Sequence, residues 1–186
     1  NLEGRNMVQI DKSKLSLTDR WIYSRLNDAA LSIEKAMEEY HFNDAAQTVY
    51  SFFWNDFCDW YIEASKEKML HGSEEEKDLQ VSILMDILES SMRLMHPFLS
   101  FITEEIYQKL PNHKGDVISA QYPIYNEADK DNEADSSMES LQEVVRVVRA
   151  VRSSLGIGPE KKLKVVVRPS KDNPYASFYK EEEKIL

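Results

Sequence analysis

From Ile22 onward apolar residues recur at intervals of three and four, through Leu26, Ala29, Ala30, Ile33, Met37 and Tyr40, which places them on one stripe of an amphipathic helix. Ser16 and Asp19 have the spacing of a capping box at its start, with a hydroxyl for the orphan amides and a carboxylate in the positive first turn. Asn43 is read as the cap of a second helix. From Val49 to Ile62 that helix is apolar on nearly all sides, which predicts a central element packed on several faces. Gly72 interrupts it, and Ser73 with Glu76 repeats the capping-box spacing ahead of Leu79, Ile83, Leu84, Ile87, Leu88 and Met92, a third helix. Proline lacks an amide and disfavours helix before it, so His96 and Pro97 end the third helix. Residues 97–110 then predict a short fourth helix closed by Pro111.

Past Pro111 the pattern is loop-like, with Val117, Ile118 and residues 122–125 laid across the bundle, and the run NEADKDNEAD (126–135) reads as an acidic linker. A fifth helix is expected from Ser136 or Ser137, with Leu141, Val144, Val145, Val148, Val151 and Leu155 on one face and a stop at Gly156 and Gly158. KLKVVVRP (162–169) predicts a β-strand, and Asn173 opens a last helix. One strand cannot satisfy its own backbone groups, so this unit reads as cut short. The expected architecture is mainly α: a helical bundle over 1–125, the acidic linker over 126–135, and a short truncated α+β unit over 136–186.

Composition supports a compact, helix-rich chain, since 42% hydrophobic and 30% charged residues accompany only 5 Gly and 6 Pro. Cys58 is the sole cysteine, which excludes an intrachain disulfide and a thiolate zinc set and suits a reducing compartment. No stretch approaches the roughly 20 apolar residues of a membrane span, and the polar N-terminus has no signal-peptide core. A soluble, cytoplasmic protein is therefore expected. The net charge of −10 argues against nucleic acid as a partner, but the charge is uneven: residues 146–168 hold seven basic residues against one acid, while residues 1–145 hold 13 basic and 28 acidic groups. Such asymmetry permits a local polyanion site on an acidic body.

Several residues are candidates for chemistry. Cys58, Ile62 and Lys66 fall at i, i+4 and i+8, on one face of the second helix near its negative end, where a thiol, an aliphatic group and a cation suit unstacked bases and a phosphate of single-stranded RNA. Residue type alone reads Cys58 and Ile62 as core instead. Asp56, Asp59 and Glu63 cluster on the same helix but lack the companions of a catalytic or magnesium site, and they read as surface or ion pairs. Trp21, Trp54, Trp60, Tyr50 and Tyr61 read as packing. Arg146, Arg149 and Arg152 wind a basic ribbon around the fifth helix that is either a solvated face or a contact for an RNA backbone. His41, His71, His96 and His113 show no ligand spacing, and no metal site is expected.

The segments DRWIYSRL (19–26), FFWNDFCDWYIEASK (52–66) and HPFLSFITEEIY (96–107) resemble those of valyl-tRNA synthetases in order and spacing, with FCDWYIE pointing to the valine enzymes over their isoleucine and leucine relatives. VVRVVRAVRSSLGIGPEKKL (144–163) is similar to the basic helix and following strand of the same family. Ser100 stands where the family usually shows a second proline, and Ser154 where an acidic residue is common. The resemblance implies a class I synthetase helical bundle that grips the anticodon arm of valine tRNA, with the stretch around Cys58, Ile62 and Lys66 lining the anticodon site and Arg149 and Arg152 candidates for tRNA contact. It also implies that valine-tRNA ligation belongs to a parent enzyme, expected to be monomeric, because neither the HIGH nor the KMSKS signature occurs here. ATP and magnesium are then cofactors of its catalytic domain, and none is expected in this chain. An acidic helical scaffold for protein partners is the rival reading, and a carboxylate-based enzyme the weakest.

Overall fold

The computed structural model describes residues 5–111, 113–158, 160–161 and 163–166. They fall into two units that meet between Asp131 and Asn132.

In the first unit α1 (Leu17–Glu38) opens on the expected capping box: the Asp19 amide donates to Ser16 Oγ at 3.3 Å, and the Ser16 amide to Asp19 Oδ2 at 3.0 Å. Ile22, Ala29, Ala30 and Ile33 are buried as the stripe requires. Tyr40 does not extend it. That residue is exposed and stands at φ 61° just past the helix, where the amides of Tyr40 and His41 return to the carbonyls of Met37 and Ala36. This is the left-handed closing position that glycine normally takes. A side chain there costs about 1–2 kcal/mol, offset by the greater backbone entropy a glycine would lose and by the edge contact of Tyr40 with Phe42. Tyr40→Gly is therefore expected to gain about 0.5 kcal/mol and raise the melting temperature by a degree or two. A lower melting temperature would show that the ring contact outweighs the backbone strain.

Residues 42–71 form one unbroken helix in three parts: α2 (Phe42–Tyr50), a π-helical stretch (Ser51–Tyr61) and α3 (Ile62–His71). Asn43, expected as its cap, lies inside the first turn, and His41 precedes the helix without a side-chain cap. The buried residues Val49, Phe52, Phe57, Tyr61 and Ser65 include one step of five, between Phe52 and Phe57, as i→i+5 hydrogen bonding demands. α4 (Glu74–Met95) starts on the second capping box, Ser73 with Glu76. It, rather than the aromatic-rich helix, is the most enclosed element: Gln80, Val81, Ser82 and Ile83 are buried in succession, so water reaches no side of that turn. Small serines permit this, because Ser82 and Ser91 satisfy their hydroxyls on the carbonyls four residues back.

After the turn at Pro97, α5 (Ser100–Tyr107) is tied to the end of α4 by His96 Nδ1 and Thr103 Oγ1 at 2.8 Å. Met92, Tyr107, Leu110 and Val117 make a small apolar cluster beneath the following loop. The N-terminal connector lies along α4, with Arg5 paired to Glu74 and the Val8 amide donating to Ser82 Oγ. The first half of the expected acidic linker is likewise folded onto α1. Asn126 and Asn27 exchange two hydrogen bonds, Lys130 pairs with Asp28 at 2.6 Å, and the Asp131 amide donates to Ser24.

In the second unit α6 (Asn132–Ser154) begins four or five residues ahead of the start expected at Ser136 or Ser137. Ala134, Met138, Leu141 and Val145 are its buried stripe, whereas Val151 and Leu155, expected on the same face, are exposed. Gly156 closes it at φ 62°, with the amides of Gly156 and Ile157 bonded to the carbonyls of Ser153 and Arg152. The expected strand is not formed at residues 163–166, which have no regular structure and leave Leu163, Val165 and Val166 exposed. Valine-rich sequence favours extended backbone, but only a paired neighbour makes it a strand. Residues 167–169 of that segment, and the helix expected from Asn173, lie outside the described residues.

Candidate nucleic-acid interface

The long helix is held by one side. Phe52 and Phe57 are buried, and Tyr61 ends in a polar hub: its hydroxyl donates to Asp19 Oδ1 at 2.7 Å and accepts from Gln80 at 2.8 Å. Asp19 Oδ2 takes the Lys68 ammonium at 2.8 Å, and Lys68 also reaches Ser16 Oγ. Burial by itself pushes the Asp19 carboxyl up, but the Lys68 charge and hydrogen bonds from Lys68, Ser16 and Tyr61 hold it below the usual carboxylate range. Tyr61 is driven well up, by burial first and then by Asp19, and stays a neutral donor.

On the other side the candidate residues are within reach of a partner. Cys58 and Ile62 are half-buried, and neither is in the core. Burial, then the Asp59 carboxylate, pushes the Cys58 thiol up, so at neutral pH it is an uncharged contact rather than a nucleophile. Lys66 is exposed and pairs with Glu63 at 2.6 Å, both side chains more than half in water. Such a pair is worth about 0–1 kcal/mol and yields readily to a phosphate. Of the acidic cluster, Asp56 is held by Arg25 at 3.0 Å and Glu63 by Lys66, while Asp59 is exposed beside Cys58. Among the described residues no group of three His, Cys, Asp or Glu side chains is placed to hold a metal ion.

Two residues read as packing belong to this face. Tyr50 and Trp54 are exposed by 56% and 48%, their ring centroids 6.2 Å apart. With Cys58, Ile62 and Lys66 they complete a ribbon at every fourth residue along the helix. Trp54 rests edge-on against Phe53, and Phe53 touches Phe57, so exposed rings are anchored to buried ones. The spacing of four was visible in the sequence, but an all-round apolar composition read as all-round burial. Trp21 and Tyr61 are packing, as expected.

In the second unit Arg146 pairs with Glu143, Arg149 is exposed, and Arg152 donates to the Gly158 carbonyl, which fastens the turn after α6. The basic ribbon is thus partly committed within its own helix, and Arg152 has a structural duty whatever else it meets.

The longest helix thus carries a thiol, an aliphatic group, two exposed rings and a cation at intervals of four. Residues 19–167 match the family described as the anticodon-binding domain of tRNA ligase, and the chain belongs to that family. The relatives are valine-tRNA ligases. That of Treponema denticola is 42% identical over 186 residues, covering 94% of this chain and 20% of the relative. That of Treponema pallidum is 43% identical over 182 residues, 91% of this chain and 19% of the relative. That of Thermotoga maritima is 39% identical over 168 residues, 90% and 19% respectively. The chain spans about a fifth of the length of the curated relatives it matches. No helix among the described residues is long and apolar enough to cross a membrane.

Proposed function

We propose that this chain is the part of a valine-tRNA ligase that holds the anticodon arm of valine tRNA, so that chemistry at the distant acceptor end proceeds on a correctly placed substrate. The observation that carries this reading is the family match over residues 19–167. Contact with the loop falls to the ribbon: Cys58 and Ile62 against base faces or edges, Lys66 at a phosphate, and Tyr50 and Trp54 as stacking surfaces. Arg149 and Arg152 meet the RNA backbone. The domain's contribution is binding energy and identity rather than catalysis. ATP and magnesium serve a catalytic domain elsewhere in the parent enzyme, which acts as a cytoplasmic monomer.

Titration of the chain with valine tRNA and with a non-cognate tRNA at two salt concentrations tests the reading. Binding that favours valine tRNA and weakens with salt is expected, and binding to neither would return the bundle to an acidic protein scaffold. Arg149→Ala is expected to weaken both tRNAs alike and to lower the salt slope by about 1, as one lost phosphate contact does. Arg152→Ala should do the same while also freeing the Gly158 carbonyl. An unchanged slope in both variants would leave these arginines as a solvated face.

A further inference from the structure

A helix that changes from π to α geometry must change at a definite residue, and its own backbone does not specify which one. Each amide near the junction has two acceptors within reach, the carbonyls four and five residues back. Here the Ile62 amide takes the carbonyl of Phe57, five back, and residues beyond it run as α3. Cys58 lies on the π side of this junction, with Ile62 and Lys66 on the α side. Moving the junction by one residue would exchange one π step for one α step, turning one side against the other by roughly 20° and shifting Cys58 relative to Ile62 and Lys66.

The residue at the junction is Tyr61, 1% exposed, with its hydroxyl locked between Asp19 of α1 and Gln80 of α4. Seven residues later, two α turns on and on the same side, Lys68 grips the same Asp19 carboxylate. The helix is thus held at two points of one hub, and Ile62 and Lys66 lie on the stretch between them. We propose that the buried Asp19–Tyr61–Gln80–Lys68 hub positions the RNA-facing side of the helix by fixing where its π stretch ends. Tyr61 and Gln80 are positioning residues and touch no RNA. The inference rests on the functional reading for what the aligned face does, though not for the alignment itself.

Cys58 supplies a readout that needs no RNA, since it is the only thiol of the sequence and sits half-buried in the middle of the ribbon. In the full chain, Tyr61→Phe removes the hydroxyl and keeps the ring, and Gln80→Met removes only the amide that donates to it. Both are expected to change the rate at which a maleimide modifies Cys58 several-fold and to lower affinity for valine tRNA by roughly 3- to 30-fold. Ile33→Val, in the core of α1 and fourteen residues beyond Asp19, serves as a control matched in melting temperature, and it should alter neither. If the hub variants change Cys58 reactivity and affinity no more than Ile33→Val does, the hub is ordinary core and the proposal is overturned. Should Tyr61→Phe fail to fold, Gln80→Met decides by the same two measurements. A wild-type chain that binds no tRNA would sink the functional reading alone, because the maleimide rates still decide the register.

Discussion

Asp19→Ala is expected to lower the unfolding free energy of the bundle by about 3 kcal/mol, the low end of the cost of breaking a buried pair. Three losses combine. The Tyr61 hydroxyl, buried with its helix, is left without an acceptor, which costs about 1–3 kcal/mol. The capping box of α1 loses the carboxylate that holds the Ser16 amide, a further fraction of the roughly 1 kcal/mol such a cap contributes. Lys68 loses its partner but is 38% exposed and can turn to water, which keeps the total near the low end. Urea denaturation measures the difference, and a loss below about 1 kcal/mol would mean that water replaces the carboxylate.

Acidity separates the charge from the shape of the same residue. The folded Asp19 carboxyl titrates below its unfolded value of about 4, so its stabilisation is complete above that pH and is lost as the pH falls through the folded value. The gap between wild type and Asp19→Ala should therefore shrink on acidification below about pH 4. A gap that stays constant to pH 3 would assign the hub's contribution to neutral hydrogen bonding.

Ile62→Asp is expected to weaken binding of valine tRNA by about 2 kcal/mol or more, roughly 30-fold, because it sets an anion against RNA within the ribbon, between Cys58 and Lys66. The new carboxylate stands four residues before Lys66, so it also competes with phosphate for that cation. Melting should change little, since Ile62 is already partly in water. A buried position would respond differently, with cooperative destabilisation by several kcal/mol from an unpaired carboxylate among apolar side chains. Filter binding and thermal melting on one preparation read both quantities. Normal binding with a normal melt would remove Ile62 from the contact surface, and a collapsed melt would return it to the core.

Local features were legible in the sequence because the interactions behind them span three or four residues. Ser16 with Asp19 and Ser73 with Glu76 announced two helix starts, both present as closed capping boxes. The α1 stripe through Ile22, Ala29 and Ile33 and the stop at Gly156 followed from periodicity and from a left-handed backbone position. The three motif segments pointed to the family that the match over residues 19–167 shows.

Only the tertiary structure decided which sides of those helices meet water and which polar groups meet each other. Asp19 reads as a cap in sequence, yet its second oxygen serves Tyr61, 42 residues away, in a hub closed by Gln80. Tyr50 and Trp54 look like core by composition, yet they are exposed because the long helix buries one side, that of Phe52, Phe57 and Tyr61. The run 126–131 has a linker's composition but is pinned by Asn27, Asp28 and Ser24 of α1. The valines at 165 and 166 have a strand's composition, yet residues 163–166 form no strand among the described residues. Periodicity and capping are properties of a few consecutive residues, whereas burial, ion pairing and the end point of a π stretch depend on groups dozens of residues apart that only the packed chain brings together.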